Sequence, residues 1–251
     1  MTDIFALNQQ LFSDISFHQV TKHSSFTHHQ SIFKDEWYNF IIPHKKSELL
    51  EWQKVSDLIQ AEHKRQYSLS LYIKEDIRNN YESFFAKHNH NQEIGSEVYK
   101  FNHITTPSPA QGELVTIDQH KLAEYLKFGQ LCFPEWENSQ EYGNYCYRLQ
   151  LEPPEGYVVK NYLFNVDDHV VGFAGLIISL KLGLSYMHNV GIHPDFRRRG
   201  LFLALTKQLQ NISLSYGVKT IYALVEKDGA SYHGYTKLGY KDFATYYLYN
   251  T

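Results

Sequence analysis

The stretch Val190-Gly191-Ile192-His193-Pro194-Asp195-Phe196-Arg197-Arg198-Arg199-Gly200-Leu201-Phe202 sets three arginines and a glycine between an apolar strand and an amphipathic helix. A helix start presents unpaired N–H groups and a partial positive charge, a combination that favours an anion. Cationic side chains there oppose the helix dipole, so three together are unfavourable unless an anion neutralises them. Arginine forks suit phosphate oxygens, and Gly200 lets the main chain approach a bulky phosphate group closely. The plain alternative is a solvated basic helix start. The chemistry that this turn suggests is the seating of a phosphate or pyrophosphate.

A second block, Ala230-Ser231-Tyr232-His233-Gly234-Tyr235-Thr236-Lys237-Leu238-Gly239-Tyr240, follows downstream. Gly239 stops its helix and Tyr240 returns the chain to the core. Together the two blocks resemble the GNAT superfamily of N-acetyltransferases. Its pyrophosphate turn reads [Q/R]-x-x-G-x-[G/A], often three residues beyond a proline, and its later segment reads A-x-x-x-x-Y-x-K-L-G-[F/Y]. Arg197, Gly200 and the spacing from Pro194 match, whereas Phe202 stands where Gly or Ala is usual. The resemblance covers residues 113–251 and includes the family's element order.

The resemblance implies an acyl-CoA N-acyltransferase fold and acetyl-CoA (coenzyme A) as co-substrate, with no metal. The pyrophosphate would sit on Arg197, Arg198, Arg199, Gly200, Leu201 and Phe202. The pantetheine arm would run along the main chain of Val190, Gly191 and Ile192, with Ser231 also at the cofactor. A free N–H near Asn189 or Val190 would polarise the thioester carbonyl. The reaction implied is direct transfer of an acetyl group to a primary amine. Tyr235 would protonate the leaving sulfur, although a core aromatic fits the same position. A tyrosine hydroxyl of pKa ~10 suits donation to a departing thiolate.

For the base, strand alternation sets Tyr186 and His188 on one face with Val190 and Ile192. His188 titrates in the useful range and is the first candidate, with water-relayed deprotonation as its competitor. Cys132 or Cys146 as an acyl-carrying nucleophile has no motif partner. His28-His29 and His88-x-His90 have no further ligands at metal-site spacing, so they read as exposed loop histidines. Two other functions fit the chain: an acyl-CoA-binding regulatory protein without turnover, and an interaction module built on the N-terminal half.

These residues need elements to hold them. The segment 113–117 reads as a strand, followed by helices over 119–131 and 139–148. Three strands over 158–166, 170–179 and 184–192 then form a meander. A helix over 199–216 buries Leu201, Leu205, Leu209, Ile212 and Tyr216. A strand over 220–225, a helix over 229–237 and a final strand over 243–249 complete an α/β, mixed-sheet domain. Thr105-Thr106-Pro107-Ser108-Pro109-Ala110-Gln111-Gly112 is the best boundary, giving an N-terminal α/β domain at 1–105, a linker at 106–112 and the acyltransferase domain at 113–251.

The N-terminal half shows a helix at 3–12, a strand at 36–42, a helix from Ser47 to about Arg65, and strands at 68–73 and 98–104. It lacks the arginine–glycine turn. It fits a degenerate GNAT-like half that would shape an acceptor pocket, as well as other small α/β folds.

Composition sets the outer limits. With 43% hydrophobic and 20% charged residues, the chain can bury a real core. A formal charge of −3 argues against general nucleic-acid binding. Two cysteines suggest reduced core thiols rather than a disulfide scaffold or a zinc site. No run approaches the ~18–20 apolar residues of a membrane span. The expectation is a cytoplasmic protein, monomer or homodimer, that binds neither membrane nor nucleic acid and acts on a small-molecule or peptide amine.

Overall fold

The computed structural model describes residues 4–15, 19–34, 38–44, 51–81, 92–101 and 111–250. It divides into two compact units: Met1–Ser96 with Phe243–Thr251, and Glu97–Asp242.

In the second unit, β6 (Glu113–Thr116), β7 (Tyr157–Val166), β8 (His169–Ser179) and β9 (Leu184–Ile192) form an antiparallel run. β10 (Thr220–Glu226) then joins β9 in parallel. Two residues, Asp167 and Asp168, connect β7 to β8, both with positive φ (49° and 61°). That is the backbone twist a tight hairpin needs, and aspartate tolerates it.

Helices α3 (Gln119–Cys132) and α4 (Ser139–Leu151) are joined by a short connection. Asp118 starts α3 by accepting a bond from the Lys121 N–H at 2.9 Å. This side of the sheet is an aromatic cluster of Tyr125, Phe128, Cys132 and Phe173. On the other face, α5 (Leu201–Ser215) and α6 (Ala230–Lys237) cover a larger apolar core that includes Met187, Leu201, Leu205, Leu209 and Tyr235. Tyr216, expected on the buried stripe of α5, is 39% exposed because the helix ends at Ser215 and Gly217 turns the chain away with φ 74°.

The first unit holds α1 (Ile4–Ile15), β1 (Gln19–Lys22), β2 (Phe26–Gln30), β3 (Phe40–Pro43), α2 (Trp52–Lys64) and β4 (Ser70–Lys74). β1, β2 and β3 are antiparallel, and β3 and β4 are parallel across α2. β11 (Lys241–Asn250) lies antiparallel to β4, so the chain's last strand supplies Tyr247 and Tyr249 to this unit's core. Both units thus pass from an antiparallel run into a strand–helix–parallel-strand crossover. The remaining strand, β5 (Gln92–Phe101), spans the division at Ser96/Glu97.

The expected strand at 36–42 is observed as Phe40–Pro43, and Ser47 lies outside the described residues. His28 and His29, expected in an exposed loop, are each 3% exposed on β2. His29 stacks on Phe40. Burial lowers the pKa of His28 below its ordinary value, against an opposing pull from Glu62. His88 and His90 fall outside the described residues. Among the described residues, no group of three or more His, Cys, Asp or Glu is placed to hold a metal. No helix among them is long and apolar enough to cross a membrane.

Candidate active site

Two local irregularities on β9 make the site. The first is its divergence from β10. The parallel ladder pairs Leu184, Ser185 and Tyr186 with Thr220, Ile221 and Tyr222, while β9 runs on to Ile192 and β10 to Glu226. The second is a bulge. Phe173 faces Gly191 and Gly175 faces His188, which leaves Asn189 and Val190 opposite Ala174 alone. Asn189 takes φ 52°, a left-handed conformation that asparagine accepts more readily than most residues. The main chain of Asn189 and Val190 therefore stands outside the ladder with β8, where the resemblance called for a free N–H.

The bulge also corrects the expected facing of the strand. One extra residue shifts the alternation, so Met187, Val190 and Ile192 join the core under α5. Tyr186 and His188 lie on the opposite face, stacked on each other at 5.8 Å. His188 packs against α4, with Tyr142 Oη at 3.5 Å and Cys146 Sγ at 3.9 Å from Nδ1.

The ring of His188 lies directly over Gly175, where any Cβ would fall on Cε1 and Nε2. Gly175→Ala should cost about 2–3 kcal/mol in denaturant unfolding, because neither the strand nor the ring can yield cheaply. Adding His188→Ala should recover part of that loss. Equal stability of Gly175→Ala and wild type would contradict this packing.

His188 is 4% exposed, and burial lowers its pKa to about 3. The ring is therefore neutral at physiological pH, and the expected titration of His188 in the range useful to a general base is not met. Tyr186 is buried too, between His188 and Tyr222.

Beyond β9, residues 194–196 form one 3-10 turn, with Arg198 at φ 64° and Gly200 at φ 78° as the N-cap of α5. Arg197 Nε donates to the Ile192 carbonyl at 3.0 Å and its Nη2 to the Cys132 carbonyl at 3.4 Å. This guanidinium ties the turn to the end of β9 and to the C-terminal end of α3. Arg199 donates to the Asp195 carbonyl at 3.0 Å and lies over Phe196. Arg198 makes no hydrogen bond or ion pair among the described residues. The first α5 bonds run from Leu203 and Ala204 N–H to the Gly200 carbonyl. Among the described residues, the N–H groups of Arg198, Arg199, Gly200, Leu201 and Phe202 meet no acceptor.

A Cβ on Gly200 would meet nothing within 4 Å, so open space adjoins these donors. The fit to an anion is therefore good: free donors, a dipole end, one uncommitted cation and room. Phe202, the departure from the family pattern, packs on the α-carbon of Gly234 and edge-on to Tyr235 at 5.2 Å. Tyr235 is 2% exposed, and burial raises its phenol well above the ordinary tyrosine value. Ser231 is half-buried one turn before it. Tyr235 and His188 thus occupy opposite faces of β9 and are not brought together.

A polar chain that no sequence motif marks runs behind the bulge. Asn189 Nδ2 donates to Tyr125 Oη at 3.4 Å, and Tyr125 donates to Asn161 Oδ1 at 3.2 Å. Asn161 Nδ2 donates to the Cys146 carbonyl at 3.0 Å and to Gln150 Oε1 at 3.2 Å. The readable signal was Asn161, a polar residue in the middle of the apolar run Tyr157–Val166. Both cysteines are free and buried, and burial raises the Cys132 thiol to about 11 and the Cys146 thiol to about 12. Such thiols are poor nucleophiles. A narrow crevice, too tight to admit a water molecule, adjoins the bulge and is lined by Tyr125, Leu126, Gly129, Trp136, Ser139, Gly143, Phe173 and Asn189.

Comparison with known proteins agrees with this geometry. Residues 122–240 match the acetyltransferase (GNAT) family. No curated protein sequence matches the chain. A conserved protein of unknown function from Staphylococcus epidermidis has a similar structure, with TM-score 0.69, 11% identity, and 96% of each chain covered. A GCN5-related N-acetyltransferase from Kribbella flavida has TM-score 0.63 and 14% identity, covering 98% of this chain and 93% of its own. A tandem GNAT protein from the clavulanic acid biosynthesis pathway has TM-score 0.61 and 10% identity, covering 92% of this chain and 81% of its own. At such identities the likeness is one of fold. The fold, the splayed and bulged strand, the glycine-capped arginine turn and the family match converge on one assignment: this chain carries an acetyltransferase domain of the GNAT family at residues 122–240.

Proposed function

We propose that the chain is an N-acetyltransferase that moves the acetyl group of acetyl-CoA directly to a primary amine. The observation that carries this reading is the set of free N–H groups from Arg198 to Phe202 around the open side of Gly200. It follows a strand that has already parted from its neighbour. Arg198 and these donors hold the pyrophosphate, and Arg197 acts as a positioning residue by fixing the turn to its two carbonyls. The main chain from Val190 to Ile192 holds the pantetheine arm, with Ser231 on the neighbouring helix.

Acetyl-CoA supplies an activated thioester. The amine nitrogen forms a bond to the acyl carbon, the carbon–sulfur bond breaks, and the thiolate takes a proton from Tyr235. A main-chain N–H at the bulge meets the charge that develops on the carbonyl oxygen. The nitrogen loses its proton to water, since His188 stays neutral. Phe202, the departure from the family pattern that would favour an acyl-CoA-binding protein without turnover, has its ring accommodated by the bare Gly234.

Tyr235→Phe tests the assignment of the acid. It should lower kcat about a hundredfold, with the acetyl-CoA dissociation constant and Tm close to wild type. An unchanged kcat would remove Tyr235 from the mechanism. For the first unit, the crossover shared with the second unit supports a degenerate GNAT-like half. Residues 44–51, which join its parallel strands through α2, contain no glycine, so it would not seat coenzyme A in the same way.

A further inference from the structure

Resting on that reading, we propose that Asn189 is a positioning residue. Its side chain, tied through Tyr125 to Asn161, holds the β9 bulge so that a main-chain N–H there stays aimed at the thioester carbonyl of acetyl-CoA.

A bulge by itself is a loose place for a donor. Phe173 faces Gly191 and Gly175 faces His188, so neither Asn189 nor Val190 has a ladder partner of its own on β8. The direction of their N–H groups then follows from the dihedrals of Asn189, whose φ is 52°. An unpaired residue in the left-handed region keeps that conformation only where its surroundings fix it. A donor that must swing into place as charge develops contributes less than one already aimed.

The side chain of Asn189 supplies the restraint. Its Nδ2 donates to Tyr125 Oη at 3.4 Å, and that hydroxyl donates on to Asn161 Oδ1 at 3.2 Å. Asn161, buried in the middle of β7, is engaged from several directions. Its Nδ2 donates to the Cys146 carbonyl and to Gln150 Oε1, and its N–H donates to the same Gln150 oxygen at 2.7 Å. Its carbonyl accepts from the Ile117 N–H at 3.0 Å, and Gln150 Nε2 closes the circuit on the Ile117 carbonyl at 2.8 Å. The bulge is thereby tied to α3, α4 and β7 at once. Tyr125 is itself held, since it is buried and its ring meets Phe173 edge-on at 5.3 Å.

Stability alone gives little reason for this arrangement, because apolar groups of the same shape can replace a buried hydrogen-bonded pair at almost no cost. What a satisfied buried network does supply is one fixed geometry. Of its members, Asn189 is the one on β9. The crevice beside Tyr125 and Asn189 is too tight to admit a water molecule, so no solvent stands in when a link is cut.

Two substitutions cut the same link from opposite sides. Tyr125→Phe keeps the ring and its packing and removes the hydroxyl. Asn189→Gly removes the side chain and leaves a residue at home in the left-handed region.

The experiment reads the thioester carbonyl directly, from infrared difference spectra of isotope-labelled acetyl-CoA bound to the full chain. Calorimetry follows acetyl-CoA binding, and thiol release with a mixture of primary amines follows turnover at saturating acetyl-CoA. In the wild type the carbonyl band should lie below its position in water, and each variant should lose about half or more of that displacement. Thiol release should slow about tenfold in each variant, with acetyl-CoA affinity kept within about threefold. The double variant should be no slower than Asn189→Gly alone, because one link has been cut twice. If the wild type binds and turns over acetyl-CoA but the variants keep its carbonyl band, or the two losses of rate multiply, the positioning inference falls and the acyltransferase reading stands. A lower Tm with band and rate unchanged likewise overturns it, leaving the network a purely structural role. If acetyl-CoA does not bind at all, both fall.

Discussion

Gly200→Val should weaken acetyl-CoA binding by about 10²–10⁴-fold. Gly200 holds φ 78° at the N-cap of α5, a conformation in which a β-branched residue is strained by roughly 1–2 kcal/mol. Relief of that strain rotates the peptide units on either side, whose N–H groups are the inferred donors to the pyrophosphate. Losing two charge-assisted hydrogen bonds, at about 1.5–3 kcal/mol each, gives the stated loss of affinity. The new methyl groups would also fill the open side of the turn. Unfolding stability should fall by only about 1–2 kcal/mol, because the substituted position makes no core contact. Calorimetric titration with acetyl-CoA, beside a denaturant melt, separates the two effects. An affinity within threefold of wild type would place the phosphates elsewhere.

The second large effect is on acid stability. Burial lowers His188 to about 3 in the folded chain, against an ordinary 6.5 when unfolded. Between those values the unfolded chain takes up a proton that the folded chain refuses. The contribution is complete above pH 6.5 and is lost as pH falls toward 3, at up to about 1.4 kcal/mol per unit. Over the whole window this one ring removes up to about 5 kcal/mol. His28, also lowered by burial, acts in the same direction.

His188→Phe keeps a flat ring over Gly175 and removes the proton site, so its stability should fall less steeply between about pH 6.5 and 5. Urea midpoints at several pH values would show the difference. Parallel slopes for wild type and variant would contradict the buried, neutral imidazole. The same variant should keep its pH–rate profile, since a ring that does not titrate cannot serve as the base.

Much of the acyltransferase unit was legible because its signals are local. Hairpin turns, the apolar stripe of α5 and the Gly200 and Gly239 stops each lie within a few residues. The arginine turn was legible for the same reason: donor groups, charge and glycine are consecutive in sequence.

What failed depended on residues distant in sequence. The bulge at Asn189 is a property of the β8–β9 pairing, and a single strand read by alternation grouped Tyr186 and His188 with Val190 and Ile192, which the bulge turns to the other face. The burial of His188 required Gly175 on one neighbour and Tyr142 on α4 to be known together. β1 and β2 were missed because QVTK and FTHHQ are too polar to read as strands. Their histidines are covered only once β3 and α2 are in place. The partner of the last strand was unreadable for the same reason: β11 joins β4, about 170 positions earlier in the chain.

Thiol release from acetyl-CoA by the full chain, with and without a mixture of primary amines, tests the central claim most directly. The expected result is amine-dependent release of one thiol per acetylated amine, abolished in Gly200→Val at acetyl-CoA concentrations that saturate the wild type. Tight acetyl-CoA binding with no amine-dependent thiol release, or release unaffected by Gly200→Val, would contradict it.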